Sequence, residues 1–172
     1  RINFVYDHDR MYVIECGTSN PLINGHNLYI NDRLVKGIVI PDGITQINMC
    51  AFACCTSITS VTIPKSVTAI DLYAFYGCTG LTKVNYPGTV SDWCNIYFSD
   101  YYSNPLMHGH NLYLNNSPVT DLVIPDGVDT IKSNVFVGYT GMKSVKIPES
   151  VTKVERDAFK DCTGLERVNY TD

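Results

Sequence analysis

The chain has 172 residues, 45% of them hydrophobic and 17% charged, and a formal net charge of -4; this composition indicates an ordered domain with a buried core. The acidic excess argues against a nucleic-acid or anionic-membrane surface. No apolar run approaches the roughly 18 residues of a membrane helix, and the start "RINFVYDHD" does not resemble a signal peptide, so we expect no membrane insertion within this segment and any export signal outside it.

The sequence repeats with a 23-residue period. Phe52, Phe75 and Phe98 keep this spacing, as do Phe136 and Phe159. Prolines that follow an apolar residue keep it too, except for one longer interval between the third and the fourth of them. These prolines are Pro41, Pro64, Pro87, Pro125 and Pro148. A fixed period of this length is typical of a solenoid, in which each rung buries its apolar face only against its neighbours.

The repeats divide a single solenoid, residues 1–172, into rungs. In chain order these are an irregular first rung with an insertion (1–40), two regular rungs (41–86), an enlarged rung with 15 extra residues (87–124) and two regular rungs (125–170). The whole pattern recurs as an 84-residue super-repeat, since most positions from Asn20 to Gly43 are identical to those from Asn104 to Gly127. Because the segment starts and stops at equivalent points of this super-repeat, we expect it to belong to a longer array.

Each regular rung has the pattern of a strand, a turn, a second short strand and a helical turn. In "MKSVKIP" the apolar Val145 and Ile147 alternate with Lys146, the period of a strand with one buried face. Proline ends this strand, and "PDG" or "PKS" supplies turn residues. In "DLYAFYGCTG", Phe75 and Cys78 share one side of a single α or 3-10 turn. We predict parallel strands on one face, helical turns on the other, and stacked phenylalanine and cysteine ladders inside.

The enlarged rung contains additional short elements. "TVSDWCNIYF" offers Thr89 or Ser91 as the N-cap of one helical turn, and "SNPLMHGH" offers Asn104 as the N-cap of another. "NLYLNNSPVTDLVI" predicts a hairpin with strands at 112–114 and 119–124 and a polar turn between them. The predicted fold class is therefore an α/β solenoid to which each super-repeat adds a helical turn and a β-hairpin.

Several segments resemble the BspA-like class of bacterial leucine-rich repeats. They include "SVTAIDLYAFYGCTGLTKV" at 66–84 and "IPESVTKVERDAFKDCTGLERV" at 147–168, and "GTVSDWCNIYF" is similar to interruptions in such proteins from anaerobic gut bacteria. The resemblance covers residues 20–170; residues 1–19 depart from it, as does Tyr139, which replaces a ladder cysteine. It implies a secreted or surface-anchored protein that adheres to host proteins, matrix or other bacteria.

The cysteines show no paired spacing of the kind that binds metals. They are Cys16, Cys50, Cys54, Cys55, Cys78, Cys94 and Cys162. We interpret them as buried thiols that act as small core residues. A disulfide among Cys16, Cys50, Cys54 and Cys94 remains an alternative if the compartment is oxidising, and an anaerobic setting weakens it.

Histidines and aspartates recur at turns. The HxH formed by His108 and His110 resembles a metal-binding pair, but of its two members only the second recurs, as His26. Asp42 and Asp126 both lie in "IPDG", where an aspartate side chain favours a turn. We therefore expect no catalytic residue, no cofactor and no metal, and hence no enzyme.

Candidate binding residues lie on the outward side of the predicted strands and in the enlarged rung. The strand positions are Lys83, Asn85, Lys143, Lys146, Arg167 and Asn169. Lys143, Lys146 and Arg167 on adjacent strands predict a cationic strip that suits an acidic protein or a sulfated glycan, although a merely solvated face explains the same charges. Tyr101 and Tyr102 are predicted to be exposed aromatic residues that anchor proteins or stack on sugars.

Three functions are compatible with these patterns. The first is a non-enzymatic adhesion or protein-binding module at the cell surface or outside the cell, which recognises host or bacterial surface macromolecules through the strands. The second is a carbohydrate-binding module that uses the tyrosines of the enlarged rung. The third is a passive spacer within a larger surface protein. A solenoid suits recognition more than chemistry, because its outward side chains vary without disturbing the core.

Overall fold

The backbone forms a solenoid of short strands in the part of the chain that the computed structural model describes, residues 6–7, 10–11, 27–30, 32–108 and 111–171. The strands are β1 (Tyr6–Asp7), β2 (Arg10–Met11), β3 (Tyr29–Ile30), β4 (Arg33–Leu34), β5 (Gly37–Val39), β6 (Gln46–Ile47), β7 (Ser60–Thr62), β8 (Ala69–Ile70), β9 (Lys83–Tyr86), β10 (Tyr97–Phe98), β11 (Asn111–Leu114), β12 (Ser117–Pro118), β13 (Asp121–Val123), β14 (Thr130–Ile131), β15 (Ser144–Pro148), β16 (Lys153–Val154) and β17 (Arg167–Thr171). The helices are α1 (Val90–Cys94) and a 3-10 helix (Tyr101–Ser103).

Two sheets of mainly parallel strands line one face of the solenoid. β5, β7, β9 and β11 form the first sheet, to which β12 is added in antiparallel orientation, and β13, β15 and β17 form the second. Regular neighbours pair one period apart, as Ser60 with Lys83 and Ser144 with Arg167. These observations confirm the predicted solenoid and the length of its rungs. We call the outer surface of the two sheets the strand face.

A second set of short strands follows the first around each corner of the rung. β6, β8 and β10 pair in parallel, and so do β14 and β16. In both "IPDG" corners, the residue after the glycine donates its N–H to the proline carbonyl at 3.4 Å. Gly43 and Gly127 have φ of 90° there, the left-handed conformation that a type II turn requires at its third residue. Asp42 and Asp126 therefore lie in turns, as predicted.

Phenylalanine rings stack from rung to rung inside the solenoid. The ring centroids of Phe52 and Phe75 are 5.2 Å apart, and those of Phe136 and Phe159 are 5.4 Å apart, in stacked orientation. Phe52, Phe75 and Phe136 are fully buried, and Phe159 is half-buried. The predicted phenylalanine ladder is confirmed for these four residues, whereas Phe98, which shares their spacing, lies in β10 opposite Ile70.

Cysteines form a second ladder, in which the thiols donate hydrogen bonds. Cys55 and Cys78 are fully buried, and Cys162 is half-buried. The Cys78 thiol donates to the Phe52 carbonyl of the preceding rung at 2.9 Å, and Cys162 donates to Phe136 at 3.1 Å. Burial raises the pKa of Cys78 well above its usual range and that of Cys162 to about 11, so both stay protonated at neutral pH.

The predicted helical turns of the regular rungs are hydrogen-bonded turns instead, so this expectation is corrected. Each of these segments contains two residues with positive φ, four positions apart. The pairs are Cys50 and Cys54, Tyr73 and Gly77, Asn134 and Gly138, and Asp157 and Asp161. A left-handed residue interrupts the repeated dihedral angles that a helix requires, so no α or 3-10 helix continues through these turns.

The α-helix of the enlarged rung begins where the sequence predicted. Thr89 Oγ1 accepts the N–H of Asp92 at 3.1 Å, and Asp92 Oδ2 accepts the N–H of Thr89 at 2.9 Å, which together make a capping box. Trp93 in α1 is fully buried, and its indole Nε1 donates to the Val135 carbonyl at 2.9 Å. The helix is thereby tied to the rung that follows it.

A turn follows Asn104 as predicted, but residues 105–108 form a hydrogen-bonded turn and not a helix, so the prediction of a helix was wrong. The 3-10 helix ends before Asn104. The Asn104 side chain is fully buried; its Oδ1 accepts the Leu106 N–H at 2.8 Å, and its Nδ2 donates to the carbonyls of Asn134 at 2.7 Å and Val135 at 3.0 Å. The Asn104 side chain therefore binds an N–H of the following turn, as an N-cap does, and also fixes a contact with the next rung.

The extra residues of the enlarged rung are divided between the segment that contains α1 and a hairpin. Lys83 in β9 pairs with Asn111 in β11 and not with Leu106, which lies one regular period after Lys83. Ala69 in β8 pairs with Tyr97 in β10 at the same longer offset, so the first extra residues lie between β9 and β10, where α1 forms. The other extra residues lie between Asn111 and Asp121, where β13 begins. The chain thus passes up β11, down β12 and up β13 before the regular rungs resume.

The hairpin is tighter than predicted. Asn115 and Asn116 both have positive φ, 49° and 65°, the dihedral pattern of a two-residue type I′ turn. The returning strand is β12, and residues 121–123 leave the hairpin to pair with β15 in parallel. The predicted second strand at 119–124 is corrected accordingly, because the two-residue turn brings the return forward.

Tyr139 closes the junction between the two sheets of the strand face. Its ring is buried, and its hydroxyl contacts the carbonyl oxygens of Val119 and, at 3.3 Å, Leu112. Burial is the main cause that raises the pKa of Tyr139, so the hydroxyl stays a neutral donor. Tyr139, which replaces a cysteine of the ladder, therefore bonds to the backbone of the β11–β12 hairpin, where the chain reverses its direction.

Candidate functional site

Outward positions of the strand face form two rows in each sheet, because residues paired in register lie side by side. The first row is Gly37, Ser60, Lys83 and Asn111 in the first sheet, and Asp121, Ser144 and Arg167 in the second. The second row is Val39, Thr62, Asn85 and Tyr113 in the first sheet, and Val123, Lys146 and Asn169 in the second. The candidate binding residues that lie in these rows are Lys83, Asn85, Lys146, Arg167 and Asn169.

Side chains at the centre of the first sheet bind one another. The Lys83 ammonium lies 4.4 Å from the centroid of the Tyr113 ring, within the range of a cation–π contact. Asn85 Nδ2 donates to Thr62 Oγ1 at 3.4 Å. All four of these residues are half-buried, whereas Val39 on β5 is 67% exposed. Asn85 Oδ1, however, is buried without a hydrogen-bond partner, so the polar groups at the centre of the sheet are only partly satisfied, and the edge presents an apolar side chain.

One of the two candidate lysines near the second sheet is in an ion pair. Lys143 Nζ lies 3.5 Å from Glu166 Oε1, in an exposed ion pair of the kind that contributes little to stability. Lys146 takes part in none of the ion pairs found between described residues. Lys146 and Arg167 lie on neighbouring strands, so the two remaining cations stand beside a neutralised Lys143.

Acidic and hydroxyl groups share this part of the strand face. Asp121 accepts a hydrogen bond from the hydroxyl of Ser144 on the neighbouring strand. That bond is the largest cause that lowers the pKa of Asp121, followed by the hydroxyl of Thr120, with a smaller contribution from the Arg167 charge. The second sheet is therefore of mixed charge rather than uniformly cationic.

A groove of about 630 Å³ opens at the carboxyl-terminal ends of β13, β15 and β17. Its lining residues are Val123, Ile124, Pro125, Asp126, Lys146, Pro148, Glu149, Ser150 and Thr171. Val123 and Lys146 also belong to the second row, so the groove continues the strand face. Its size is within the roughly 300–1,000 Å³ of ligand-binding pockets.

A cluster of tyrosines lies in the turn segments that follow β8 and β10. The rings of Tyr73 and Tyr102 stack with centroids 5.6 Å apart, and the Tyr76 ring meets Tyr102 edge-on at 5.1 Å. Tyr101 meets Tyr102 edge-on at 5.2 Å. Tyr73 and Tyr76 are each 44% exposed and Tyr102 is 36% exposed, whereas Tyr101 is half-buried. We call these four residues the tyrosine cluster.

Sequence reasoning found only half of this cluster. Tyr102 is exposed as predicted, the predicted exposure of Tyr101 was wrong because this ring is half-buried, and Tyr73 and Tyr76 were missed. The sequence did contain a signal for their exposure, because Tyr73 and Tyr76 flank Ala74 and Phe75, which are buried in the core. Their meeting with Tyr102 depends on how the enlarged rung stacks, which the regular period does not describe.

Tyr101 anchors the cluster to a more distant rung. Its hydroxyl donates to Asp161 Oδ2 at 2.7 Å, and the Lys160 ammonium lies 4.9 Å from its ring centroid. Burial and the bond to Asp161 raise the pKa of Tyr101 to about 12, so the hydroxyl remains a donor at neutral pH. These contacts hold the ring at a fixed angle.

A cleft of about 370 Å³ adjoins the tyrosine cluster. Its lining residues are Tyr97, Phe98, Ser99, Asp100, Tyr101, Ser133, Asn134, Arg156 and Asp157. Asp100 also accepts the backbone N–H of Tyr73 at 3.4 Å, and Arg156 lies 3.5 Å from Asp157 in an ion pair. The cleft and the cluster therefore share Tyr101 and are joined through Asp100.

The remaining candidate groups are cysteines and histidines. None of the six cysteines that the structure describes forms a disulfide, and burial raises the pKa of Cys94 to about 12; Cys16 lies outside the described residues. His108 is exposed, while His26 and His110 also lie outside the described residues. Within the described ranges, no group of three or more His, Cys, Asp or Glu side chains is arranged to hold a metal ion.

The fold defines a leucine-rich-repeat solenoid, and the sequence identifies its family. Residues 25–105 and 108–172 match the family described as BspA type leucine-rich repeat region, in six copies. The chain belongs to this family, as its resemblance to BspA-like repeats predicted. Neither helix in the described part of the chain has the length and apolarity needed to cross a membrane.

Several solved structures of bacterial leucine-rich-repeat proteins are similar to this chain. A leucine-rich cell surface protein of Faecalibacterium prausnitzii has 26% identity and a TM-score of 0.47, over 80% of this chain and 32% of that one. A leucine-rich repeat protein of Bacteroides ovatus has 26% identity and a TM-score of 0.46, over 80% and 38%. The leucine-rich repeat protein of T. pallidum has 21% identity and a TM-score of 0.47, over 84% and 78%.

This chain thus spans 32% of the Faecalibacterium protein and 38% of the Bacteroides protein, or about a third of their length. A comparison with curated proteins found no match.

Proposed function

We propose that this chain is a non-enzymatic recognition module of a secreted or cell-surface protein and that it binds another protein through the strand face. The observation that carries the proposal is a pair of outward valines. Val39 and Val123 are 67% and 54% exposed. They occupy equivalent positions of the two super-repeats, in the second row of the strand face.

Valine is not needed at these positions for the strand to form. Thr62, which pairs with Val39 in the same row, has comparable β-propensity and offers a hydroxyl to water. An exposed valine gains stability only when its surface is covered, and covering half of such a side chain contributes about 1 kcal/mol. Two such positions favour a partner that packs against the face.

The surroundings of these valines have the mixed character of a protein interface. Val123 lies beside Lys146 across the strand pair, and both line the groove at the carboxyl-terminal ends of the strands. Tyr113 adds an aromatic ring to the same row. Apolar and aromatic side chains surrounded by polar groups are typical of protein-binding surfaces.

A location at the cell surface is part of the proposal. The similar protein of Faecalibacterium prausnitzii is described as a cell surface protein. We infer the same location for this chain, where the strand face would meet host extracellular proteins or proteins of other bacteria. Surface labelling of intact cells with an antibody to this chain tests the location independently of binding.

Binding is tested by measuring the affinity of the 172-residue chain for a panel of immobilised extracellular-matrix proteins. The test variant carries Val39→Glu and Val123→Glu, which place charges on the strand face. The control is Val154→Glu, because Val154 is also an exposed valine, at 47%, but lies on β16 outside the strand face. Circular dichroism confirms that each variant is folded.

We expect saturable binding that weakens at least about tenfold in the double variant and is unchanged in the control. Equal weakening in the control would place the binding surface elsewhere. A folded chain that binds no protein of the panel would contradict the proposal and favour a spacer.

A further inference from the structure

The tyrosine cluster and the adjoining cleft form one surface that is separate from the strand face. Tyr101 belongs to both, and Asp100 lines the cleft while it holds the backbone of Tyr73. The rings are fixed before any ligand arrives, since each is in contact with another ring of the cluster. A rigid surface loses little conformational entropy when a ligand binds.

The exposed rings offer flat apolar surface in a polar setting. Tyr73 and Tyr76 keep 44% of their surface accessible, although the ring of Tyr73 is stacked on Tyr102. Tyrosine combines an apolar ring face with a hydroxyl that bonds to water or to a ligand. A ligand that matches this surface must itself carry an apolar face and polar edges, as a pyranose ring does.

The cleft supplies hydrogen-bonding groups of both kinds. Asp100 and Asp157 accept hydrogen bonds, Arg156 donates them, and the Asn134 amide does both. A sugar hydroxyl also both donates and accepts, so neighbouring hydroxyls can each find a partner. The volume of about 370 Å³ suits a small ligand unit rather than the surface of a folded protein.

The charges around this surface disfavour an anionic ligand. Asp100, Asp157 and Asp161 carry three negative charges, against the two positive charges of Arg156 and Lys160. Arg156 is paired with Asp157, and Lys160 lies over the Tyr101 ring. A sulfated or uronic acid chain would meet net repulsion here, whereas a neutral chain would meet none.

We propose that the tyrosine cluster and the cleft bind a neutral oligosaccharide. One pyranose ring packs against the exposed rings of Tyr73 and Tyr76, and the oligosaccharide continues past Tyr101 into the cleft, where Asp157 and Asn134 bind its hydroxyls. This site is independent of the strand face, so the chain can attach to a protein and to a neutral glycan at the same time.

The proposal is tested by isothermal titration calorimetry of the 172-residue chain. The probes are maltohexaose, cellohexaose and mannohexaose, with a heparin hexasaccharide as the anionic comparison. We expect at least one of the neutral probes to bind at micromolar to millimolar concentration and the heparin probe not to bind.

Four variants locate the site. Tyr76→Ala removes an exposed ring and is expected to weaken binding at least about tenfold, whereas Tyr76→Phe keeps the ring and stays within about threefold of the unmodified chain. Asp157→Asn replaces an acceptor in the cleft and is expected to weaken binding too. The control is Tyr170→Ala, since Tyr170 is 76% exposed but lies in β17, and it is expected to leave binding unchanged.

Four outcomes would overturn the proposal. The first is a folded chain that binds none of the neutral probes at millimolar concentration. The second is a heparin probe that binds more tightly than the neutral ones. The third is a loss of affinity in Tyr170→Ala equal to that in Tyr76→Ala. The fourth is a matrix protein whose binding depends on Tyr76 while no sugar binds, which would assign this surface to a protein partner.

Discussion

Replacing Tyr139 with phenylalanine tests how the two sheets of the strand face are joined. The tyrosine hydroxyl contacts the carbonyl oxygens of Leu112 and Val119, which lie on either side of the hairpin turn that reverses the chain. Phenylalanine keeps the buried ring and removes only the hydroxyl, so the variant creates no large cavity. Any loss of stability therefore reports on the hydrogen bond alone.

The magnitude follows from the number of carbonyl oxygens that lose a partner. A hydroxyl has one proton and donates to one carbonyl at a time. The Leu112 carbonyl also accepts the N–H of Val119 at 3.1 Å, so it keeps a partner, and the loss falls on the Val119 carbonyl. Leaving one buried carbonyl unsatisfied costs about 1–3 kcal/mol. Tyr139→Cys, which restores the cysteine ladder, is expected to cost about 3–5 kcal/mol because it leaves a cavity.

Urea unfolding followed by circular dichroism measures the difference. Tyr139→Phe is expected to lower the unfolding midpoint by roughly 1 M urea, given a denaturant slope of about 1–3 kcal/mol per molar for a domain of this size. The control is Tyr170→Phe, which alters an exposed tyrosine and is expected to change nothing measurable. A Tyr139→Phe variant as stable as the unmodified chain would refute the hydrogen-bonded junction.

Three further predictions concern the core, a buried amide and a helix cap. Cys55 and Cys78 are fully buried, so N-ethylmaleimide should modify them only in urea; labelling of the folded protein, detected by mass spectrometry, would contradict this. Asn104→Ala removes three hydrogen bonds, two of them buried, and is expected to lower the free energy of unfolding by about 3 kcal/mol, measured by urea titration; a loss below about 1 kcal/mol would contradict their role. Hydrogen bonds from Thr89 lower the pKa of Asp92, so the stability that the capping box contributes is complete above the ordinary value of 3.8 and is lost as the pH falls through the lower value of the folded state. The stability difference between the unmodified chain and Asp92→Asn should shrink over that pH range, and a difference independent of pH would contradict this reasoning.

Much of the regular architecture was predicted from the sequence because a solenoid repeats its environment. Phe52 and Phe75 occupy the same phase of successive rungs, so one buried position implies the other, and both are buried and stacked. The turns at Asp42 and Asp126 were predicted from local sequence, since proline fixes its own φ and glycine adopts the positive φ that these turns require. Thr89 was one of the two predicted helix caps, and the structure selects it over Ser91 through its hydrogen bond with Asp92, three positions away.

The binding surfaces were predicted only in part. Alternation along a strand placed Lys146 and Arg167 on the strand face, because the side chains of a strand point to opposite sides in turn. The same reasoning did not show that Lys143 is paired with Glu166, which depends on the rotamers of two long side chains. The exposed Val39 and Val123 went unremarked because a valine in a strand is usually a core residue.

What the sequence determined by itself is the period of the rungs, the residues of the two ladders and the turns at the corners, because these depend on local conformation and on translation by one period. Only the tertiary structure decided the path through the enlarged rung, the bonding of Tyr139 to the reversed strand and the meeting of Tyr73 with Tyr102. An insertion breaks the translation, so the neighbours of a residue beyond it no longer follow from its phase and are set by how the extra chain packs.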